Sequence, residues 1–331
     1  MADLQRATAV AHPNIALIKY WGRQDAARNI PLTDSLSITL DGLSTRTTVI
    51  PEPEAKADSL ILDGQAASDE ATHRVARHLE HLRKRAGVTA KCRVVSENSF
   101  PAAAGLASSA SAFAALTHAG FAAFGAEVDL REQSAFARLG SGSAARSIHG
   151  GFVAWQAGTG HEDSVAMPLA GPDHFDVHDV VAILSRREKK TGSLHGHALA
   201  HTSPLLQGRL EVVPKLLARA KEGVIHRDMV ALGEPTEADC YLMHAVMMTS
   251  EPSLLYWAPE TVAGLHAVRE WRDDGLAVYA TIDAGPNLHF ISKGADAPEV
   301  ARRARALFGE QTEIIDAPPG EGARLVDDHL A

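Results

Sequence analysis

The chain has 331 residues, of which 45% are hydrophobic and 22% charged, and its formal net charge is −9 at pH 7. This length suits two domains with cores that need no disulfides, and the acidic balance argues against a general binder of nucleic acid or anionic membranes. The two cysteines, Cys92 and Cys240, are far apart, the N-terminus lacks an apolar leader, and no run approaches the ~20 apolar residues of a membrane span, so we expect a cytoplasmic protein.

Short apolar and alternating runs predict strands through the first hundred residues, interrupted by one helix. The strands are expected at 7–10, 15–18, 36–40, 45–50, 59–62 and 92–95. Ser68 can cap the helix and Gly87 ends it. Val75, Leu79 and Leu82 would line its apolar face.

The end of the second predicted strand, "NIALIKYWGR" at 14–23, has an unusual composition. Lys19, Tyr20, Trp21 and Arg23 follow an apolar run with almost no turn between. Two cations and two large aromatics would make an odd surface loop. They are better explained as the wall of a site for an anion.

The rest of the chain mixes helices and strands without regular alternation. Helices are expected at 106–124, 130–138 and 297–308 and through most of 203–272, and strands at 150–158, 180–189, 276–292 (two strands around a Gly-Pro turn) and 313–316. This mixture favours the α+β class over a doubly wound sheet. The segment "AGPDHFDVHD" suggests a boundary near residue 178, which gives domains at 1–178 and 179–331.

The stretch "PAAAGLASSASAFAAL", 101–116, has the composition of a phosphate-binding helix start. Gly105 permits a tight turn, and small side chains leave the unpaired N–H groups of the first helical turn accessible to phosphate oxygens. Ser108 and Ser109 add hydroxyl donors or a magnesium ligand. An alanine-rich core helix with a serine cap explains the same residues equally well. The chain contains no GxxxxGK[ST] loop.

A second small-residue stretch, "LGSGSAARSIHGG" at 139–151, resembles a dinucleotide fingerprint only superficially. The segment before it is helical rather than a strand, so the Rossmann interpretation is weak. Another helix start is the better interpretation, with Ser141, Ser143 and Arg146 available to an anion.

In "TIDAGPN", 281–287, Asp283 ends an apolar strand at a turn. A carboxylate there can act as a general base or metal ligand, or simply cap the turn.

"HGHALAH", 195–201, has a spacing that zinc ligands can have, but no acidic or cysteine partner lies near it in the sequence. Arg74 lies on a basic helix face that is mostly solvated, although it could turn inward.

Together these motifs resemble the mevalonate diphosphate decarboxylase family of the GHMP kinase superfamily. "HPNIALIKYWGR", "SFPAAAGLASSASAFAAL", "GSGSAARSIHGGFVAW" and "TIDAGPN" occur in that family's order and spacing, and "TGSLHGH", "TSPLL" and "VVPK" are similar too. The resemblance runs from about residue 7 to residue 310. It implies a GHMP kinase fold, with an N-terminal domain like domain 2 of ribosomal protein S5, a ferredoxin-like C-terminal domain, and the active site between them.

The resemblance also implies a reaction of isoprenoid biosynthesis. ATP, with Mg²⁺, phosphorylates the C3 hydroxyl of mevalonate 5-diphosphate, phosphate departs, and C1 leaves as carbon dioxide to give isopentenyl diphosphate. The implied partner is this small-molecule substrate rather than nucleic acid or a membrane, and family analogy predicts a homodimer.

Roles for individual residues follow from the matched motifs. Asp283 would orient or deprotonate the C3 hydroxyl, and Lys19 would stabilise the transferred phosphoryl group. Arg146 would grip the C1 carboxylate, with Asn14 hydrogen-bonding nearby. The implied substrate-binding residues are Tyr20, Trp21, Gly22, Arg23, Arg74, Ser141, Gly142, Ser143, Ala144, Ala145, His197 and Thr202. The implied ATP-phosphate residues are Gly105, Leu106, Ala107, Ser108 and Ser109, with Ser108 as the magnesium ligand.

Three positions depart from the family pattern and leave alternatives open. At the position of Arg23 the family usually has Lys, at that of His197 commonly Met, and at that of Asp34 often Asn or Ser. A decarboxylase of the 5-monophosphate, which gives isopentenyl phosphate, or a related kinase without decarboxylation would share most motifs. A homoserine or mevalonate kinase would lack "KYWG" and "GSGSAARS", and an inactive ligand-binding relative would not need Asp283. The nearly intact set of phosphate donors favours the diphosphate.

Overall fold

The structure is a computed structural model that describes residues 4–100, 108–186 and 192–331. Its strands are β1 (Ala7–Ala11), β2 (Asn14–Ile18), β3 (Arg23–Asp25), β4 (Ile30–Pro31), β5 (Ser35–Thr39), β6 (Thr45–Glu52), β7 (Ser59–Leu62), β8 (Gln65–Ala66), β9 (Lys91–Asn98), β10 (Phe152–Trp155), β11 (Ala166–Ala170), β12 (Val177–Ile183), β13 (Val278–Thr281), β14 (Leu288–Lys293), β15 (Glu313–Ala317) and β16 (Arg324–Val326). Its helices are α1 (Asp69–Ala86), α2 (Ser108–Ala123), α3 (Leu130–Gly140), α4 (Ala144–Ser147), α5 (Ser193–Leu199), α6 (Leu206–His226), α7 (Met229–Met248), α8 (Pro259–Asp273) and α9 (Ala297–Phe308).

The strands form three main sheets and one small hairpin. Their orders are β16-β1-β6-β9-β7-β8, β11-β10-β5-β2 and β13-β14-β12-β15, with β3 and β4 paired separately. Neighbouring strands are antiparallel, apart from β7 and β9, which run parallel. The last strand, β16, pairs with the first, β1, so both lie in the same sheet. Antiparallel sheets with helices packed on them agree with the predicted α+β class.

Most predicted elements are present, and the missed ones are short. The strand predicted at 180–189 ends at Ile183, and the described part of the helix predicted at 106–124 begins at Ser108. Helix α4 begins where the small-residue stretch indicated a helix start, but elements of two to five residues such as β3, β4, β8 and β16 were not predicted. They are too short to show a hydrophobic period, and their conformation depends on contacts with distant segments.

The first core lies between the first sheet and helices α1 and α2. The Ser68 hydroxyl caps α1 by accepting a hydrogen bond from the Ala71 N–H, and Gly87 ends it with φ near +70°. Leu79 and Leu82 of α1 are fully buried, as predicted. A side chain at Gly120 of α2 would lie 2.6 Å from a Leu82 methyl carbon, so glycine there permits the two helices to approach closely.

A second core joins the two halves of the chain. Ile15 and Leu17 of β2 are buried in one cluster with Val213 and Leu217 of α6 and Leu232 of α7. The end of β2 is therefore fixed between the second sheet and the α6–α7 pair. Within the described residues, no helix is long and apolar enough to cross a membrane.

Candidate active site

Lys19 and Asp283 meet where β2 ends and where the turn after β13 begins. Lys19 Nζ donates a hydrogen bond to Asp283 Oδ1 at 2.7 Å. The Lys19 side chain is 1% exposed and that of Asp283 is 32% exposed. A buried ammonium group thus lies beside a carboxylate that remains open to a ligand, an arrangement that can serve both an anionic reactant and proton transfer.

Arg146 and Asn14 form a buried network beside this pair. Arg146 Nε donates to Asn14 Oδ1 at 3.1 Å, and its Nη1 donates to the Ser35 hydroxyl at 2.8 Å. Asn14 Nδ2 in turn donates to the Ser147 hydroxyl at 2.7 Å and to the Ser143 carbonyl at 3.1 Å. The guanidinium group is therefore fixed through two of its nitrogens.

The charge and position of Arg146 suit an anionic ligand. Burial lowers the pKa of Arg146 to about 10, while the negative charge of Asp283 acts in the opposite direction. The group therefore stays cationic at neutral pH. It lies 5.6 Å from the ring centre of Trp155, and its Nη2 has no hydrogen bond to any described residue. This leaves the nitrogen able to bind a carboxylate.

Three serine hydroxyls and the Tyr20 ring converge at the start of α4. Ser141 Oγ lies 3.1 Å from Ser109 Oγ and 3.4 Å from Ser143 Oγ. A side chain at Gly142 would lie 2.5 Å from Tyr20 Cε1, so only glycine lets this ring pack so closely. Burial raises the pKa of the Tyr20 hydroxyl well above its usual range, which keeps it a neutral donor.

The backbone at the start of α4 is already paired. The N–H groups of Ala144 and Ala145 donate to the carbonyls of Ser141 and Gly142, at 2.9 and 3.3 Å, and both alanine side chains are fully buried. The helix has four residues. The donors that this stretch can offer an anion are therefore hydroxyls and Arg146, rather than the amides of these two alanines.

His197 packs between the aromatic residues that follow Lys19. Its ring centre lies 4.2 Å from that of Tyr20 and 4.6 Å from that of Trp21. His197 Nδ1 accepts a hydrogen bond from the Gly22 N–H at 3.0 Å. Burial, assisted by the positive charge of Arg23, lowers the pKa of His197 to about 3, so the ring is neutral at pH 7.

Trp21 and Thr202, two of the predicted substrate-binding residues, make contacts within the protein. The Trp21 side chain is 2% exposed and belongs to an apolar cluster with Leu206, Met243 and Leu254. This packing anchors the segment that carries Lys19. The Thr202 hydroxyl is exposed, donates to the Leu199 carbonyl and accepts from the Glu251 N–H, so it stabilises a turn.

Three polar residues near the predicted substrate site contact neighbouring segments of the protein. Arg23 Nη1 donates to Asn29 Oδ1 at 2.9 Å in the β3–β4 hairpin. Asp34 Oδ1 accepts from the Ala157 N–H at 2.8 Å. Arg74 does turn toward α2, where its guanidinium lies 5.3 Å from the ring centre of Phe113, one turn after Ser109.

The predicted nucleotide site is described only at the start of α2. Gly105, Leu106 and Ala107 lie outside the described residues. Ser108 and Ser109 open α2, which has no acidic residue in its first turn, and this fits a phosphate. Among the residues described, no three His, Cys, Asp or Glu cluster as metal ligands. A magnesium ion bound chiefly through phosphate oxygens and one hydroxyl needs no such cluster.

An ion pair behind Lys19 was not predicted. Arg209 of α6 and Asp239 of α7 are both fully buried, and both hydrogen-bond to the main chain of Lys19. They stand 190 and 220 residues from Lys19 in the sequence. Neither belongs to a local motif. No local signal marks them, because each is one of several charged residues in its helix.

Two family models match the chain. A Diphosphomevalonate decarboxylase-like N-terminal domain matches residues 11–166, and a Mevalonate 5-diphosphate decarboxylase C-terminal domain matches residues 179–326. The diphosphomevalonate decarboxylase of Aspergillus fumigatus is 36% identical over 95% of this chain and 83% of its own length.

Solved structures agree with the predicted fold. Mevalonate diphosphate decarboxylase from Staphylococcus aureus superposes with a TM-score of 0.94 at 35% identity, covering 98% of each chain. A structure named "MDDEF in complex with MVAPP, AMPPCP and Magnesium" superposes at 0.91 with 35% identity, over 98% of this chain and 99% of that one. The two-domain GHMP kinase fold expected from the motifs is confirmed.

Proposed function

Because this chain belongs to the diphosphomevalonate decarboxylase family, we propose that it couples ATP cleavage to the decarboxylation of mevalonate 5-diphosphate. The products are isopentenyl diphosphate, carbon dioxide, phosphate and ADP. The contact of 2.7 Å between Lys19 Nζ and Asp283 Oδ1, beside buried Arg146, carries this proposal. It brings a proton acceptor, a cation for a phosphoryl group and a cation for a carboxylate into one place.

Asp283 and Lys19 serve the phosphorylation step. The partly exposed Asp283 carboxylate orients the C3 hydroxyl and accepts its proton, while Lys19 Nζ offsets the negative charge that gathers on the phosphoryl group. Because Lys19 is buried, its charge acts where water screens it little.

Arg146 serves the loss of carbon dioxide. Asn14 and Ser35 hold its Nε and Nη1, and Nη2 is left to bind the C1 carboxylate. The fixed guanidinium keeps C1 oriented until phosphate has left C3, and C1 then departs as carbon dioxide. The electron pair of the C1–C2 bond forms the new double bond.

The hydroxyls of Ser141, Ser143 and Tyr20 provide donors for the substrate's own phosphates, with Arg23 as the nearby cation. Ser108 and Ser109 bind ATP phosphates together with residues 105–107. Magnesium, when bound, neutralises phosphate charge, and Ser108 is the residue placed to provide a ligand. A structural relative holds MVAPP, AMPPCP and magnesium together, which supports the binding of substrate, nucleotide and magnesium by this chain.

The substrate's phosphate count is tested by comparing mevalonate, its 5-phosphate and its 5-diphosphate in ATP-dependent carbon dioxide release at matched concentrations. We expect the highest specificity constant for the diphosphate, because the hydroxyl donors and Arg23 are retained and Asp34 Oδ1 is turned to Ala157. A higher constant for the monophosphate would favour the alternative substrate. In that case the variant His197→Met should shift preference back toward the diphosphate.

A Gly142→Ala substitution tests the role of Tyr20. The new methyl group would lie 2.5 Å from the ring and must displace it. We expect KM for the phosphorylated mevalonate to rise about tenfold, since losing a hydrogen bond to a charged group costs roughly 1.5–3 kcal/mol. Gly208→Ala in α6, where a methyl group meets nothing within 4 Å, is the control. An unchanged KM in Gly142→Ala would remove Tyr20 from the substrate site.

The homodimer and the cytoplasmic location remain predictions. Sedimentation equilibrium of the purified full chain would decide the first. Fractionation of the source cells would decide the second.

A further inference from the structure

The Arg209–Asp239 ion pair has no part in the roles assigned above. Arg209 Nε donates to Asp239 Oδ1 at 3.1 Å, and its Nη2 donates to Oδ2 at 3.2 Å. Both side chains are 0% exposed. Burying two charges is costly, and such a pair commonly adds no more stability than apolar residues of the same volume. What distinguishes this pair is the set of main-chain groups that it contacts.

Both main-chain polar groups of Lys19 bind to this pair. The Lys19 N–H donates to Asp239 Oδ2 at 2.6 Å, and Arg209 Nη2 donates to the Lys19 carbonyl at 2.9 Å. Strand β2 ends one residue earlier, at Ile18, after a register shift against β5. Lys19 has thus left the sheet, and the ion pair satisfies the two buried groups that a neighbouring strand would otherwise bind.

Helix α7 also contacts the segment that carries Asp283. Cys240 Sγ accepts from the Ile282 N–H at 3.2 Å, and His244 Nε2 donates to the Ile282 carbonyl at 3.3 Å. Burial lowers the pKa of His244 to about 4, so this ring is neutral at pH 7. One helix therefore fixes the main chain at Lys19 and next to Asp283.

We propose that Arg209 and Asp239 are positioning residues for the reaction. They hold the Lys19 main chain so that Nζ is already in place against Asp283 when substrate binds. This inference rests on the proposed function, because it assigns the pair to the phosphorylation step. The turnover rate is the property most sensitive to this positioning, since a displacement of about 1 Å at a reacting group can lower the rate about 100-fold.

The test compares Asp239→Asn with Asp58→Asn. Asp58 is a matched control: its two oxygens accept from the Nη atoms of Arg83 at 2.9 Å each, and Oδ1 also accepts from the Cys92 N–H at 2.8 Å. That pair is likewise buried, at 2% and 3% exposure. Asp58 directly precedes β7 and Arg83 lies in α1, so this pair is outside the proposed active site.

In Asp239→Asn we expect kcat to fall by about 100-fold. The Kd of mevalonate 5-diphosphate and the KM of ATP should stay within about threefold, because the pair acts on Lys19 and not on either ligand. Asp58→Asn should lower the melting temperature but keep kcat within about threefold, since distant sites do not couple. Equal kcat in the two variants, or a parallel loss of binding and kcat in Asp239→Asn, would overturn the proposal.

The double variant Arg209→Met/Asp239→Leu separates positioning from folding. It removes both charges together, so stability should recover relative to Asp239→Asn, while the main chain of Lys19 still lacks its partners and kcat stays low. Recovery of kcat together with stability, or failure of this variant to fold, would make the pair purely structural. An unmodified enzyme without decarboxylase activity would instead refute the proposed function.

Discussion

Asp283→Asn is expected to lower turnover at least about 100-fold, the scale of a positioned general base. Asparagine keeps the size of the side chain but removes the proton acceptor and the negative charge that faces Lys19 Nζ at 2.7 Å. ATP should still bind, because its proposed phosphate donors lie at the start of α2. Initial rates of ADP release and a fluorescent-nucleotide titration measure the two effects.

Asp274→Asn is the control for this experiment. Asp274 is exposed at the end of α8 and pairs with Arg303, so its replacement should leave turnover unchanged. Near-normal turnover in Asp283→Asn would remove Asp283 from the mechanism.

Arg146→Lys is expected to damage the decarboxylation step most. Lysine keeps a positive charge, but a single ammonium cannot bind both Asn14 and Ser35 and also present a third, separate nitrogen to a carboxylate. Carbon dioxide release should fall at least about 100-fold, as expected for a misplaced group at the reacting centre. Phosphorylation should fall less, so that ADP forms in excess over carbon dioxide.

Arg138→Lys is a closely matched control. Burial lowers the pKa of Arg138 to about 10, as it does for Arg146. Its guanidinium, however, binds the main-chain carbonyls of residues 28, 161 and 164. Its replacement should reduce stability and leave the ratio of ADP to carbon dioxide at one. Equal and mild losses of both products in Arg146→Lys would reduce Arg146 to a structural cation.

The sequence predicted the fold class and most long elements because their patterns are local. Helix α1 shows this best: Ser68, the apolar face of Leu79 and Leu82, and Gly87 each have the predicted position. β16 was missed because only its pairing with β1, more than 300 residues away, makes its three residues a strand.

The candidate site was predictable where its residues belong to motifs. Lys19 is hydrogen-bonded to Asp283 and Arg146 to Asn14, and the charge of Asp283 acts on Arg146, so the two pairs are neighbours. The position of Trp21 could not be predicted, because a large aromatic beside a cation looks like a pocket wall whether it faces a ligand or, as here, packs in the core. Arg209 and Asp239 could not be found at all, since their link to Lys19 exists only in the packed α6–α7 pair.

The most direct measurement of the proposed activity follows ADP and carbon dioxide in one reaction with ATP, magnesium and mevalonate 5-diphosphate labelled at C1. The geometry of Lys19, Asp283 and Arg146 predicts that the two products appear at the same rate and in a ratio of one. ADP without carbon dioxide would show a kinase that stops after phosphorylation. Absence of both products would contradict the proposed function outright.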